Sequence, residues 1–252
     1  MDVAEPDVRT GTAREWVPAF RRAAAYLGAG LWAGFLSGAV IGGVGGRLAM
    51  FLLRLTSDPS LRGAPTDDGF TIGSFTGDTM FLLAICAIGG LLAGLAYLAV
   101  RGWFPEKYRA AVMGALGAAV GGALIIRPDG IDFTLLEPLA LAVVMFIAIP
   151  ALFGVVTSLL AERFLRSAEE RARRGVLLVV VALLPVAAAG PLGIIFIILL
   201  LALCMAGWAL NKYIPSAAAW RSPAVTWLGR VALAALFLYA TVGLVKDTLE
   251  IF

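Results

Sequence analysis

Histidine is absent from this chain of 252 residues. That removes imidazole ligation of haem or zinc, and the side chain most often used as a general base near neutral pH. Nucleophiles of the Ser-His or Cys-His type go with it. Cysteine is scarce: Cys86 and Cys204 each lie inside an apolar stretch and read as small packing residues. No disulfide, metal site or other cofactor is expected. Charge is thin as well, at 15% of residues against about 25% in an ordinary soluble domain. The net charge of +3 is small and its basic residues fall in short loops, which argues against nucleic acid as a partner. The apolar stretches hold no Asp, Glu, His or Lys at mid-membrane depth, where ion-coupled pumps usually carry one. Arg230 is close enough to the end of its stretch to snorkel, and Lys246 is too near an end to suit a retinal Schiff base.

What remains is 61% hydrophobic, with a mean hydropathy of +0.93. About 20 apolar residues are needed to cross a hydrocarbon layer of about 30 Å. Seven stretches qualify: 25–46, 79–100, 108–126, 138–160, 175–189, 191–210 and 224–245. The fifth and sixth are separated at Gly190-Pro191, because 36 continuous residues would make a helix of about 54 Å, too long for the bilayer. A re-entrant pair is the variant of that hairpin. Residues 1–22 form an N-terminal segment and 23–252 a single transmembrane domain. The apolar run after Arg21 and Arg22 is longer than a signal core, so the first stretch is expected to stay attached as a true span.

With the N-terminus in the cytoplasm, 15 of the 20 basic residues lie inside, leaving Arg47, Arg54, Arg62, Arg127 and Lys246 outside. The positive-inside rule therefore sets the orientation, with an extracytoplasmic C-terminus. Trp16, Trp103, Trp220 and Trp227 fall near span ends as interfacial anchors. The segment Ala161–Arg174 reads as a helical extension of the fourth span with its charges facing water, or as a docking site for a partner or anionic lipid.

Gly30, Gly34, Gly38, Gly42 and Gly46 recur every fourth residue along the first span, which puts them on one helical face. In a membrane such a groove lets a second helix approach closely. Spans two and three carry small faces of their own, at Gly90 and Gly94 and at Gly114, Gly117, Gly121 and Gly122, and are the expected partners. The alternative is pairing with a second copy of the chain.

The first outer loop is predicted to form a small cap with a β-hairpin around Gly73-Ser74. Its acids Asp67 and Asp68 are matched in the second outer loop by Asp129 and Asp132, followed by Glu137 at the opening of span four. Arg47, Arg54 and Arg127 face the same side. They read either as an anion or lipid-headgroup site or as partners of the acids in an outer cap. The loops echo one another in Asp-Gly followed by Phe-Thr, so spans 1–2 and 3–4 read as a degenerate parallel repeat.

Gly46-Arg47-Leu48-Ala49-Met50, Thr66 to Phe70, Phe75-Thr76 and Asp129 to Pro138 resemble a family of bacterial polytopic inner-membrane proteins known only as hypothetical. The resemblance covers roughly the first 160 residues. It implies residence in a bacterial inner membrane, and no activity, cofactor or site. An excess of arginine over lysine, 17 to 3, is a bias associated with bacterial genomes of high GC content.

The sequence thus predicts an all-α membrane protein, a bundle of seven transmembrane helices with a small extracytoplasmic cap. A non-enzymatic scaffold or partner subunit is the leading functional reading, with the lipid bilayer and a second copy or another membrane protein as partners. A transporter or channel for a small or lipidic solute comes second. An enzyme on the outer face comes third and has no diagnostic motif.

Overall fold

The computed structural model describes residues 13–58, 77–134, 137–168, 170, 181, 184–187, 220 and 222–252. Every regular element among them is a helix. Five are long and apolar enough to cross a membrane: Arg21–Thr56, Thr79–Trp103, Glu106–Ile125, Leu139–Arg166 and Pro223–Ile251. They overlie five of the seven predicted stretches. Apart from Val181 and the helical residues 184–187, the stretches 175–189 and 191–210 lie outside the described residues, as does the whole predicted hairpin around Gly73-Ser74.

The first rod runs α1 (Ala13–Ser37), a π-helical segment (Gly38–Gly45) and α2 (Gly46–Thr56) without a break. It passes the predicted end at Gly46 because nothing there stops a helix, and Gly46 itself has helical angles. The rod ends at Ser57, whose backbone is extended. Next come α3 (Gly77–Val100) and a tight 3₁₀ turn (Arg101–Trp103). Phe104 is extended, the conformation favoured before proline, and the chain reverses at Pro105. The third rod repeats the pattern of the first: α4 (Glu106–Leu116), a π segment (Gly117–Gly121) and α5 (Gly122–Ile125). A short α6 (Ile131–Thr134) leads to α7 (Leu139–Arg166), which contains Pro150. The last rod, α8 (Pro223–Ile251), starts with Ser222 Oγ accepting from the Val225 amide at 3.3 Å and proline in its first turn.

The glycine face seats α1 on α3. Added methyl groups at Gly34 and Gly90 would each strike the other's carbonyl oxygen, and one at Gly94 would strike the carbonyl of Gly30. Gly38 sits equally close to the Cys86 carbonyl. The groove is shorter than its sequence spacing suggests: a methyl at Gly42 would be 3.2 Å from the Cys86 side chain, and one at Gly46 would meet nothing within 4 Å. The π segment explains the loss. Its wider turns no longer return every fourth residue to the same face.

The choice of partners also differs from expectation. The second neighbour of α1 is α7, and the third rod turns its small face onto α7 instead. There Gly117 lies against the Pro150 carbonyl, Gly121 against the Pro150 ring and Gly154 against the Met113 carbonyl.

Candidate functional site

The bundle has two ends with different chemistry. At one, α2 finishes beside the start of α7, and Arg47 of α2 donates to Thr79 Oγ1 of α3. Thr56 Oγ1 donates to the Glu137 carbonyl at 2.6 Å, and the Glu137 amide donates to Ser57 Oγ at 2.9 Å. Ser57 Oγ also lies 2.7 Å from the Leu53 carbonyl, one of the last carbonyls of α2. A hydroxyl latch therefore joins one helix end to the approach of the next. Beneath it Leu53, Ile126, Phe133, Val143, Phe146 and Leu244 form an apolar cluster.

Only part of the predicted outer anion site or ion-paired cap falls within the described residues. Arg54 lies with its guanidinium carbon 5.7 Å from the Phe51 ring centre. Arg127 and Asp129 stand exposed on the turn closed by the Gly130 amide and the Arg127 carbonyl. Among the described residues neither arginine is paired with Asp129. Glu137 contributes through its backbone and precedes the cap residue Pro138, so its side chain does not cap α7. Asp67 and Asp68, and the side chain of Asp132, lie outside the described residues.

The other end holds a charged clamp. Glu162, near the end of α7, is 9% exposed, which corrects the expectation that it faces water. Its Oε1 accepts from Tyr97 Oη at 2.5 Å, Arg101 Nε at 2.9 Å and Arg109 Nη1 at 2.9 Å. Its Oε2 accepts from Arg101 Nη2 at 2.8 Å. The Arg101 fork is bidentate, the geometry in which a guanidinium and a carboxylate bind best. One carboxylate thus joins α3, the 3₁₀ turn, α4 and α7. Four donors occupy both its oxygens, so it has little capacity left to ligate a metal or move a proton.

The same cluster solves a second problem, the orphaned carbonyls at the end of α3. Tyr26 Oη donates to the Leu98 carbonyl at 3.4 Å, and Trp220 Nε1 to that of Ala99 at 2.8 Å. Arg109 Nε reaches the carbonyls of Arg101 and Phe104, at 2.9 and 3.1 Å. Arg230 Nε donates to the Trp103 carbonyl at 2.6 Å. Trp103 stacks at 5.3 Å on Trp220, and Gly229 lies against its ring, which docks α8.

Beside the clamp is a cavity of about 570 Å³, lined by Arg22, Tyr26, Arg101, Glu106, Glu162 and Arg166 among others. The sequence offered one hint of this site, Tyr97 and Arg101 four residues apart at a span end. Glu162 looked like one acid among many in a charged segment. Comparison with protein-family models, curated proteins and solved structures finds no significant match to this chain.

Proposed function

We propose that the protein is a multi-pass component of a bacterial inner membrane, a non-enzymatic scaffold or partner subunit of the polytopic kind its first 160 residues resemble. The observation that carries this reading is the locking of helices backbone to backbone, at Gly34 with Gly90 and at Gly117 with Pro150. Rods in such contact cannot slide or part without losing their packing, which suits a rigid frame. Glu162 fits the same role, because its acceptor sites are spent on holding helices together.

The seven-span count is compatible with parity, as a five-span count also is. The clamp and the Trp103–Trp220 stack put the end of α7 and the start of α8 at one end of the bundle. The chain between them must cross the membrane an even number of times, as a hairpin over 175–210 would. The positive-inside count assigns that end to the cytoplasm.

A transporter or channel is the second reading, and one observation favours it. Both helix pairs, α1 with α3 and α4 with α7, place a π segment in the first member and a glycine-to-carbonyl contact against the second. That is the pattern expected of a repeat, and repeats are common in transporters.

A photo-cross-linker replacing Tyr239, which is 82% exposed on α8, separates the two readings. A discrete protein adduct in native membranes, with no solute flux in proteoliposomes of the purified chain, is the expected result. Lipid adducts alone, together with a flux lost in Arg47→Ala, would replace the scaffold reading with the transport one.

A further inference from the structure

Among the described residues lining the cavity at the clamp end, arginines outnumber carboxylates. Arg101 and Arg109 share the single charge of Glu162. Arg22 of α1 and Arg166 of α7 line the adjoining cavity and, among the described residues, neither has a carboxylate partner. The one other acid on the lining among the described residues, Glu106, stands exposed in the first turn of α4, where a carboxylate complements the helix dipole. Three guanidinium groups and the Tyr26 hydroxyl therefore share a cavity of about 570 Å³, within the range of about 300–1,000 Å³ typical of small-ligand sites.

Guanidinium groups present planar forks of donors that match phosphate oxygens, and they bind phosphate better than an ammonium does in such settings. A metal cation is disfavoured by the same charges. The depth is also telling: the cavity lies where the apolar rods end, level with Trp103 and Trp220, where lipid phosphates lie in a bilayer. We infer that this cavity binds a phosphate-bearing anion, either the headgroup of an anionic phospholipid or a soluble phosphate. Arg22 and Arg166 are the binding residues, and Arg101, fixed by Glu162, lines the same cavity. The inference concerns a site distinct from the scaffold role and does not depend on it.

The test takes the full chain in detergent micelles. Native mass spectrometry measures retention of phosphatidylglycerol against phosphatidylcholine, and thermal unfolding measures the response to inorganic pyrophosphate. The double variant Arg22→Gln/Arg166→Gln leaves the clamp untouched and should fold. It should lose affinity by roughly fivefold per arginine, about twenty-five-fold in all. Arg163→Gln, exposed on the same helix but not on the cavity, should change nothing, and Glu106→Gln should tighten binding. Selective loss of phosphatidylglycerol identifies a lipid headgroup. Selective loss of the pyrophosphate response identifies a soluble phosphate. Equal retention by the parent and the double variant, or equal loss in Arg163→Gln, overturns the site.

Discussion

The two ends of this bundle close in different ways. At the Arg47 end, among the described residues, Thr56 and Ser57 meet the Glu137 backbone over an apolar cluster and Arg47 donates to Thr79. At the Arg101 end a buried carboxylate ties four elements together, and four side chains from elsewhere cap the carbonyls of α3 and its turn. A hydroxyl latch is cheap to bury and local in reach. A charge cluster is costly to desolvate, but once complete it makes each member depend on the others. The Arg101 end is therefore expected to respond more sharply to loss of a partner than the latch between Ser57 and Glu137.

The largest effect should come from the spine that both ends share. Gly34→Leu drives a branched side chain into the Gly90 backbone, costing about 3 kcal/mol or more. Amide exchange should then accelerate at both ends together, and yield in the membrane should collapse. Glu162→Ala is next. It leaves two guanidinium groups and the Tyr97 hydroxyl without their acceptor and should cost about 3–5 kcal/mol in denaturant titration. Exchange should rise at Leu98–Trp103 while Thr56 and Ser57 stay protected; an equal rise at both ends would erase the distinction drawn between them.

Ser57→Ala is the matching cut at the Arg47 end. It removes one acceptor from the Glu137 amide, for a loss of about 1–2 kcal/mol confined to that end. The smallest effects belong to residues the sequence made prominent. Gly46→Ala adds a methyl into open space and should stabilise the rod by up to about 1 kcal/mol, the reverse of Gly34→Leu. Exposed Arg127 and Asp129 should tolerate alanine with no shift in the unfolding midpoint.

Legibility was high where a property is periodic and local. Apolar length alone located the five described rods, since a membrane imposes its thickness on any span. Of the glycine series, Gly30, Gly34 and Gly38 lie against α3. Past them the π segment, invisible to a four-residue count, changes the register, so that a methyl at Gly42 would meet only the Cys86 side chain and one at Gly46 nothing within 4 Å. The candidate site was the least legible part. Arg47, Arg54 and the loop acids stand out in the sequence, but Asp67, Asp68 and the side chain of Asp132 lie outside the described residues, whereas the buried Glu162 sits in a segment that reads as solvated. An acid followed by several arginines looks like a water-facing surface until one knows that Tyr97 and Arg101 lie opposite.

From sequence alone, then, came the helical class, the positions of the apolar rods and their expected orientation. These depend on hydropathy, length and loop charge, which are properties of single segments. Which helix each glycine meets, where the first rod ends and which carboxylate is buried were decided only in three dimensions. Those outcomes join Gly34 to Gly90 and Arg101 to Glu162 across 56 and 61 positions of the chain. They turn on close packing and the need to satisfy buried charge, and neither can be evaluated until the partner is in place.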